Sequence, residues 1–191
     1  MATYLFGLFV MVLPFGLDPL KEEGHWNFVF LIFCVTCALP GLNILIFKSF
    51  GTIKSLTLEN RKERIAPFTF VTILYGAVTY IFFSRTRISI NDSLLKFLLI
   101  IDILVLAATV ITVFYKISIH SMAVWGFVGI LLPLNKISED GKLLVPTIVA
   151  IVLAGVIMSA RLQLNAHTPR EILMGSIAGL LITLGSMTFL F

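Results

Sequence analysis

Residues 93–134 read SLLKFLLIIDILVLAATVITVFYKISIHSMAVWGFVGILLPL, and how this stretch is divided decides the fold. As one helix, its 42 residues would run about 63 Å at 1.5 Å per residue. That is twice the roughly 30 Å hydrocarbon core of a bilayer. A break is therefore required between Lys116 and His120, giving two spans, 93–115 and 118–134. Worked outward, the same reading gives 3–19, 26–47 and 66–84 before them and 143–161 and 172–191 after them. The polar segments DPLKEEGHW, KSFGTIKSLTLENRKER, SRTRISIND and NKISEDGK separate the runs. The expected fold class is all-α: a polytopic integral membrane bundle of six or seven transmembrane helices, with 1–191 as a single membrane domain. The first span is short and carries Pro14.

Composition agrees with that division. The 191 residues are 59% apolar and 13% charged, with a mean hydropathy of +1.05, against roughly 45–50% apolar and 25% charged in soluble proteins. A water-soluble domain and a disordered chain are both excluded. The net charge of +4 is spread over short loops and makes no continuous basic surface, so nucleic acid is excluded as a partner and the bilayer is expected instead. No secretory leader is expected, because the first basic residue, Lys21, follows the first apolar run. Cys34 and Cys37 have no other Cys or His near enough in sequence to complete a metal set and read as packing thiols. His25, beside Trp26, reads as an interfacial anchor. Gly126 with Gly129, and Gly175 with Gly179, are small residues at spacings that let helices approach closely.

Parity then gathers the polar residues. Two spans separate loop 48–65, the break at 116–120 and loop 162–171 from one another, so all three fall on one face of the membrane. They hold Lys54, Arg61, Lys62 and Arg64; Ser118 and His120; and Arg161, His167 and Glu171. In SARLQLNAHTPRE, five residues separate Arg161 from His167 and three separate His167 from Glu171. An i to i+4 step puts His167 and Glu171 on one helical face. The carboxylate can then hold one imidazole nitrogen and leave the other as a nucleophile, while Arg161 supplies a planar fork for phosphate oxygens.

With these residues in place the chain resembles the type 2 phosphatidic acid phosphatase (PAP2) superfamily, and in particular its small bacterial members. The third motif of that family, S-R-x5-H-x3-D, is matched in spacing by residues 160–171, with Ala160 for Ser and Glu171 for Asp. The second, P-S-G-H, falls on Ile117, Ser118, Ile119 and His120, keeping the Ser and the His. For the first, K-x6-R-P, Lys54 to Arg61 fits the spacing with Lys62 in place of Pro, while Arg64 with Pro67 resembles a looser variant. The resemblance covers about residues 50–190. Ile119 departs from the family glycine, since a β-branched residue does not readily take positive φ.

The resemblance implies a lipid phosphate phosphatase. Arg161, Arg64, Arg61, Lys54 and Ser118 would bind the phosphate, and His167 would attack phosphorus to form a phosphohistidine. His120 would protonate the leaving oxygen and then activate water, and Glu171 would orient His167. The expected substrate is a phosphate or diphosphate monoester of a membrane lipid, such as phosphatidic acid, phosphatidylglycerol phosphate or a polyprenyl diphosphate. No cofactor and no metal are expected, because loops 48–65 and 162–171 hold only Glu59, Glu63 and Glu171 and lack the carboxylate cluster that magnesium chemistry uses. Two other classes fit some of the residues: a non-catalytic lipid-phosphate-binding or scaffold member of the family, and a proton-coupled transporter using Asp102, which lies deep in span 93–115. Basic residues number eight on the motif-bearing face and five on the other. That count points the face to the cytoplasm, whereas the family resemblance implies an extracytoplasmic site in a bacterial inner membrane.

Overall fold

The computed structural model describes residues 1–13, 17–53, 61–86, 88–137 and 141–191, and no strand occurs among them. Helix α1 spans Ala2–Val12, α2 Glu22–Phe33, α3 Leu39–Ser49, α4 Arg61–Arg85, α5 Ser93–Phe114, α6 Ile119–Ile137, α7 Leu144–Gln163 and α8 Pro169–Leu190. A π-helical turn, Cys34–Ala38, joins α2 to α3 without interruption. Among the described residues, five stretches are long and apolar enough to cross a membrane: Glu22–Ser49, Arg61–Arg85, Ser93–Phe114, Leu144–Gln163 and Pro169–Leu190. The 19 residues of α6 reach about 28 Å, but they include His120, Pro133, Asn135 and Lys136. The chain is an all-α integral membrane protein.

The break expected near residue 116 is present, since α5 ends at Phe114 and α6 begins at Ile119. The first helix is shorter than the run 3–19. It ends at Val12, and Leu13, which precedes Pro14, is already outside it, as the steric effect of a proline on the preceding residue requires. The chain forms two units, Ala2–Val113 and Phe114–Phe191.

Aromatic side chains fill the first unit. Phe6 of α1 meets Phe28 of α2 edge-on with centroids 5.0 Å apart, Phe9 meets Phe97 of α5 at 4.6 Å, and Phe28 meets Phe82 of α4 at 5.3 Å. Such edge and tilted contacts bring the positive rim of one ring to the negative face of another. Hydroxyls supply the interhelical polar contacts. Thr72 and Thr109 join α4 to α5 at 2.7 Å, and the Tyr75 hydroxyl donates to the Thr36 carbonyl in the π-turn at 3.4 Å. Asp102 of α5 accepts a hydrogen bond from Thr79 of α4, beside a small cavity of about 20 Å³ that Thr36 and Tyr75 also line, room for about one water. His25 is buried, and its Nε2 lies 2.9 Å from the Leu20 carbonyl, which pins the start of α2 to the preceding turn. Cys34 and Cys37 are both free thiols.

Small residues build the second unit. A Cβ placed on Gly175 would lie 2.6 Å from the Ser118 carbonyl oxygen, one on Gly179 would overlap the Met122 carbonyl, and one on Gly129 would come 3.0 Å from the Leu180 carbonyl. The pairing advances in the same direction along both chains, so α6 and α8 run parallel with their backbones in contact, as small residues permit in lipid. Met158 of α7 ties in the third helix, its sulfur accepting from Trp125 Nε1 at 3.1 Å and from Ser176 Oγ at 3.6 Å. Val145, Ile148, Val149, Val152 and Val156 of α7 remain exposed, forming an apolar stripe suited to lipid.

Candidate active site

The parallel course of α6 and α8 has a direct consequence, which is that both helices start at the same end of the unit. A hydrogen bond from Ser118 N–H to the Glu171 carbonyl, 3.1 Å long, locks the two starts together. α7 runs between them and delivers Arg161 in its last turn to that same end.

The turn from α7 into α8 explains the spacing of the residues. Ala166 N–H bonds the Arg161 carbonyl at 3.2 Å and Asn165 N–H bonds the Leu162 carbonyl at 2.9 Å, the bond pair of a Schellman motif. Asn165 takes the left-handed conformation at φ 50°, which asparagine tolerates better than most residues. Three residues later the chain enters α8 through a capping box, in which Thr168 Oγ1 accepts from Glu171 N–H at 3.3 Å and Glu171 Oε2 accepts from Thr168 N–H at 3.4 Å. Pro169 occupies the first helical turn, where its missing N–H costs nothing. The five residues between Arg161 and His167 are thus one helix stop followed by one helix start.

The capping carboxylate also holds the imidazole. Glu171 Oε2 lies 2.7 Å from His167 Nδ1, and the His167 side chain is only 2% exposed. This double duty accounts for glutamate at a position where the PAP2 pattern has aspartate: reaching back to the cap is what the longer side chain does in a capping box. Lys116 completes the cluster, with Nζ 3.7 Å from Glu171 Oε2. Sequence reasoning passed over this lysine, although it is the cation nearest in sequence to the segment 117–120.

The remaining expected residues divide into three groups. His120 sits exposed in the first turn of α6. Arg161 is half-buried, and its Nε is fully covered with no hydrogen-bond partner among the described residues. A covered guanidinium donor is costly to leave unmet, and an anion at this end of the unit would satisfy it. Ser118, expected to touch phosphate, is fully buried, and its hydroxyl accepts from Ser121 N–H at 3.4 Å and Ser121 Oγ at 2.9 Å, which is the work of a helix cap. The structure therefore brings Ser118, His120, Arg161, His167 and Glu171 to one end of the second unit. Arg61 and Arg64 belong to the first turn of α4 in the first unit, where Arg64 is buried; Lys54 lies outside the described residues.

Two histidines and an arginine thus share one end of a membrane-embedded helical unit. The family model of the PAP2 superfamily matches residues 111–191, so this C-terminal segment is similar to that family. No curated protein and no solved structure matched the chain.

Proposed function

We propose that the protein is a phosphatase acting on a phosphate or diphosphate monoester of a membrane lipid, through a phosphohistidine on His167. The observation that carries this reading is the 2.7 Å contact between His167 Nδ1 and Glu171 Oε2, at the same helix ends as His120 and the unsatisfied Nε of Arg161. With Nδ1–H donated to the carboxylate, the Nε2 lone pair is the reactive one. It attacks phosphorus and the bond from phosphorus to the lipid oxygen breaks. His120, in its imidazolium form, gives its proton to that oxygen. In the second step neutral His120 takes a proton from water, the water oxygen attacks phosphorus, the P–N bond breaks, and inorganic phosphate leaves with His167 restored.

Charge stabilisation comes from Arg161 and from the positive ends of α6 and α8, whose first turns share this end. Arg61, Arg64 and Lys54 are proposed as further phosphate-binding cations on the strength of their spacing in the sequence. Ser118 contributes as the cap of α6. The scheme routes no step through a metal. The lipid phosphate is the proposed partner, and the extracytoplasmic face is the proposed side of action.

One observation favours a second reading, a protein that binds a lipid phosphate without cleaving it. The Ser118 N–H is spent on the Glu171 carbonyl, and Ile119 stands where the PAP2 pattern has glycine, so the amide cradle at the start of α6 is reduced. Phosphate release separates the two. Purified protein in detergent with phosphatidic acid and EDTA should release inorganic phosphate, and vanadate should inhibit it. His167→Ala should lose at least about three orders of magnitude, since the covalent step goes with it. Wild-type turnover in that variant would rule out the nucleophile, and vanadate-competitive lipid binding without release would establish the binder.

A further inference from the structure

Three donors converge on one carboxylate oxygen: His167 Nδ1 at 2.7 Å, Lys116 Nζ at 3.7 Å and Thr168 N–H at 3.4 Å all meet Glu171 Oε2. The carboxylate is 13% exposed and the lysine side chain 33% exposed. The pair is therefore better shielded from water than an open surface bridge, whose contribution is often nil. Lys116 also lies in the short connection that leads into α6, two residues before the Ser118 amide that binds the Glu171 carbonyl. Both the main chain and the side chain of this connection thus end on the same glutamate.

We propose that Lys116 is a positioning residue for the phosphatase site, holding the Glu171 carboxylate between the entry to α6 and the imidazole of His167. The inference rests on the hydrolase reading for its catalytic consequence but not for its structural one. A cation on the carboxylate draws off part of the negative charge that His167 Nδ1–H would otherwise face. His167 Nε2 is then less basic than in a plain carboxylate–imidazole pair, and the neutral, nucleophilic form persists to lower pH. Among the described residues, the other charged and titratable groups at this end of the unit are Tyr115 beside Lys116, His120 on α6, Arg161 on α7 and Arg170 on α8.

The test is a histidine NMR titration of full-length protein, labelled with 15N-histidine in detergent micelles, with His120→Gln used to assign the resonances. Lys116→Met should move the His167 midpoint to higher pH by about half to one unit, the size expected for loss of one opposite charge near the coupled carboxylate. Lys116→Arg should leave it near the wild-type value. Phosphate release from phosphatidic acid, measured alongside, should show the acid limb of kcat/KM displaced upward by the same amount in Lys116→Met, with the alkaline plateau within about threefold of wild type. A His167 midpoint within about 0.2 unit of wild type in Lys116→Met, or a loss of activity equal at every pH, overturns the proposal. A displaced midpoint in a protein whose wild type releases no phosphate keeps the Lys116–Glu171–His167 link and removes the hydrolase reading instead.

Discussion

The two units hold their helices together by opposite means. In Ala2–Val113, rings meet rings, and hydroxyls bridge helices whose backbones stay a side chain apart. In Phe114–Phe191, α6 and α8 touch backbone to backbone over Gly175 and Gly179. Side-chain packing of the first kind tolerates small shifts, because a ring contact works over centroid separations of 4.5–7 Å. Contact of the second kind does not, because a carbonyl against a Cα leaves no intervening group to adjust. The rigid pair is the one whose ends carry His120 and His167, and catalytic geometry has to be held to fractions of an ångström. The proposed site thus lies where the backbones come closest.

Arg161→Ala gives the sharpest contrast between the units. It removes the covered donor while leaving the Schellman bonds, which use only the main-chain carbonyls of Arg161 and Leu162. We expect kcat/KM for phosphatidic acid to fall about 10²- to 10³-fold with an unchanged melting temperature, and Arg161→Lys to recover only part of it, since an ammonium lacks the planar fork. Equal loss of activity and stability would mean that Arg161 is a packing residue, and the functional difference between the units would weaken.

Glycine substitutions test the packing difference itself. Gly179→Val forces a side chain into the Met122 carbonyl and should destabilise by about 3 kcal/mol or more, the upper range for overpacking, with activity lost through misplacement of the helix starts. Gly76→Ala, on α4 where a Cβ meets nothing within 4 Å, should be neutral or stabilising by up to about 1 kcal/mol. Thermal melts in detergent read both. Similar penalties at the two sites would show that backbone contact is not what distinguishes the C-terminal unit.

Much of this unit was legible in the sequence. The break before α6 followed from length alone, and the shared end of Ser118, His120, Arg161, His167 and Glu171 followed from counting spans. The spacing from Arg161 to Glu171 encodes a helix stop, a histidine and a capping box, each a local device with a local signal; Thr168-Pro169-Arg170-Glu171 is a capping-box pattern in plain view. Other features left no local trace. The π-turn at Cys34–Ala38 has the same apolar composition as the helices on either side of it. Burial of Ser118 depends on Gly175, 57 positions further along by subtraction of the two residue numbers. The role of Lys116 depends on a distance to Glu171 that no periodicity reports. Sequence spacing sees what a single helix or turn arranges and misses what two elements arrange between them.

Thr168→Ala probes one of those local devices. Removing the cap hydroxyl should cost about 1 kcal/mol and reduce kcat several-fold, because the same turn fixes the glutamate that orients His167. Thr168→Ser should restore both. A stability loss with kcat unchanged would separate the cap from the proposed nucleophile, His167.

Asp102→Asn is expected to do least. The carboxylate accepts from the Thr79 hydroxyl, and an asparagine carbonyl can accept the same bond, so the change in stability should stay within about 1 kcal/mol and phosphate release should match wild type. The small expected effect makes the substitution useful, because Asp102 is the residue on which a transport function of the first unit would rest. Uptake assays in proteoliposomes with an imposed proton gradient decide the matter. A proton-dependent uptake that Asp102→Asn abolishes would make the small cavity beside Thr36, Tyr75 and Thr79 a transport site. The unit built on side-chain packing would then carry a chemistry separate from the proposed hydrolysis, and backbone contact between helices would no longer mark where the protein acts.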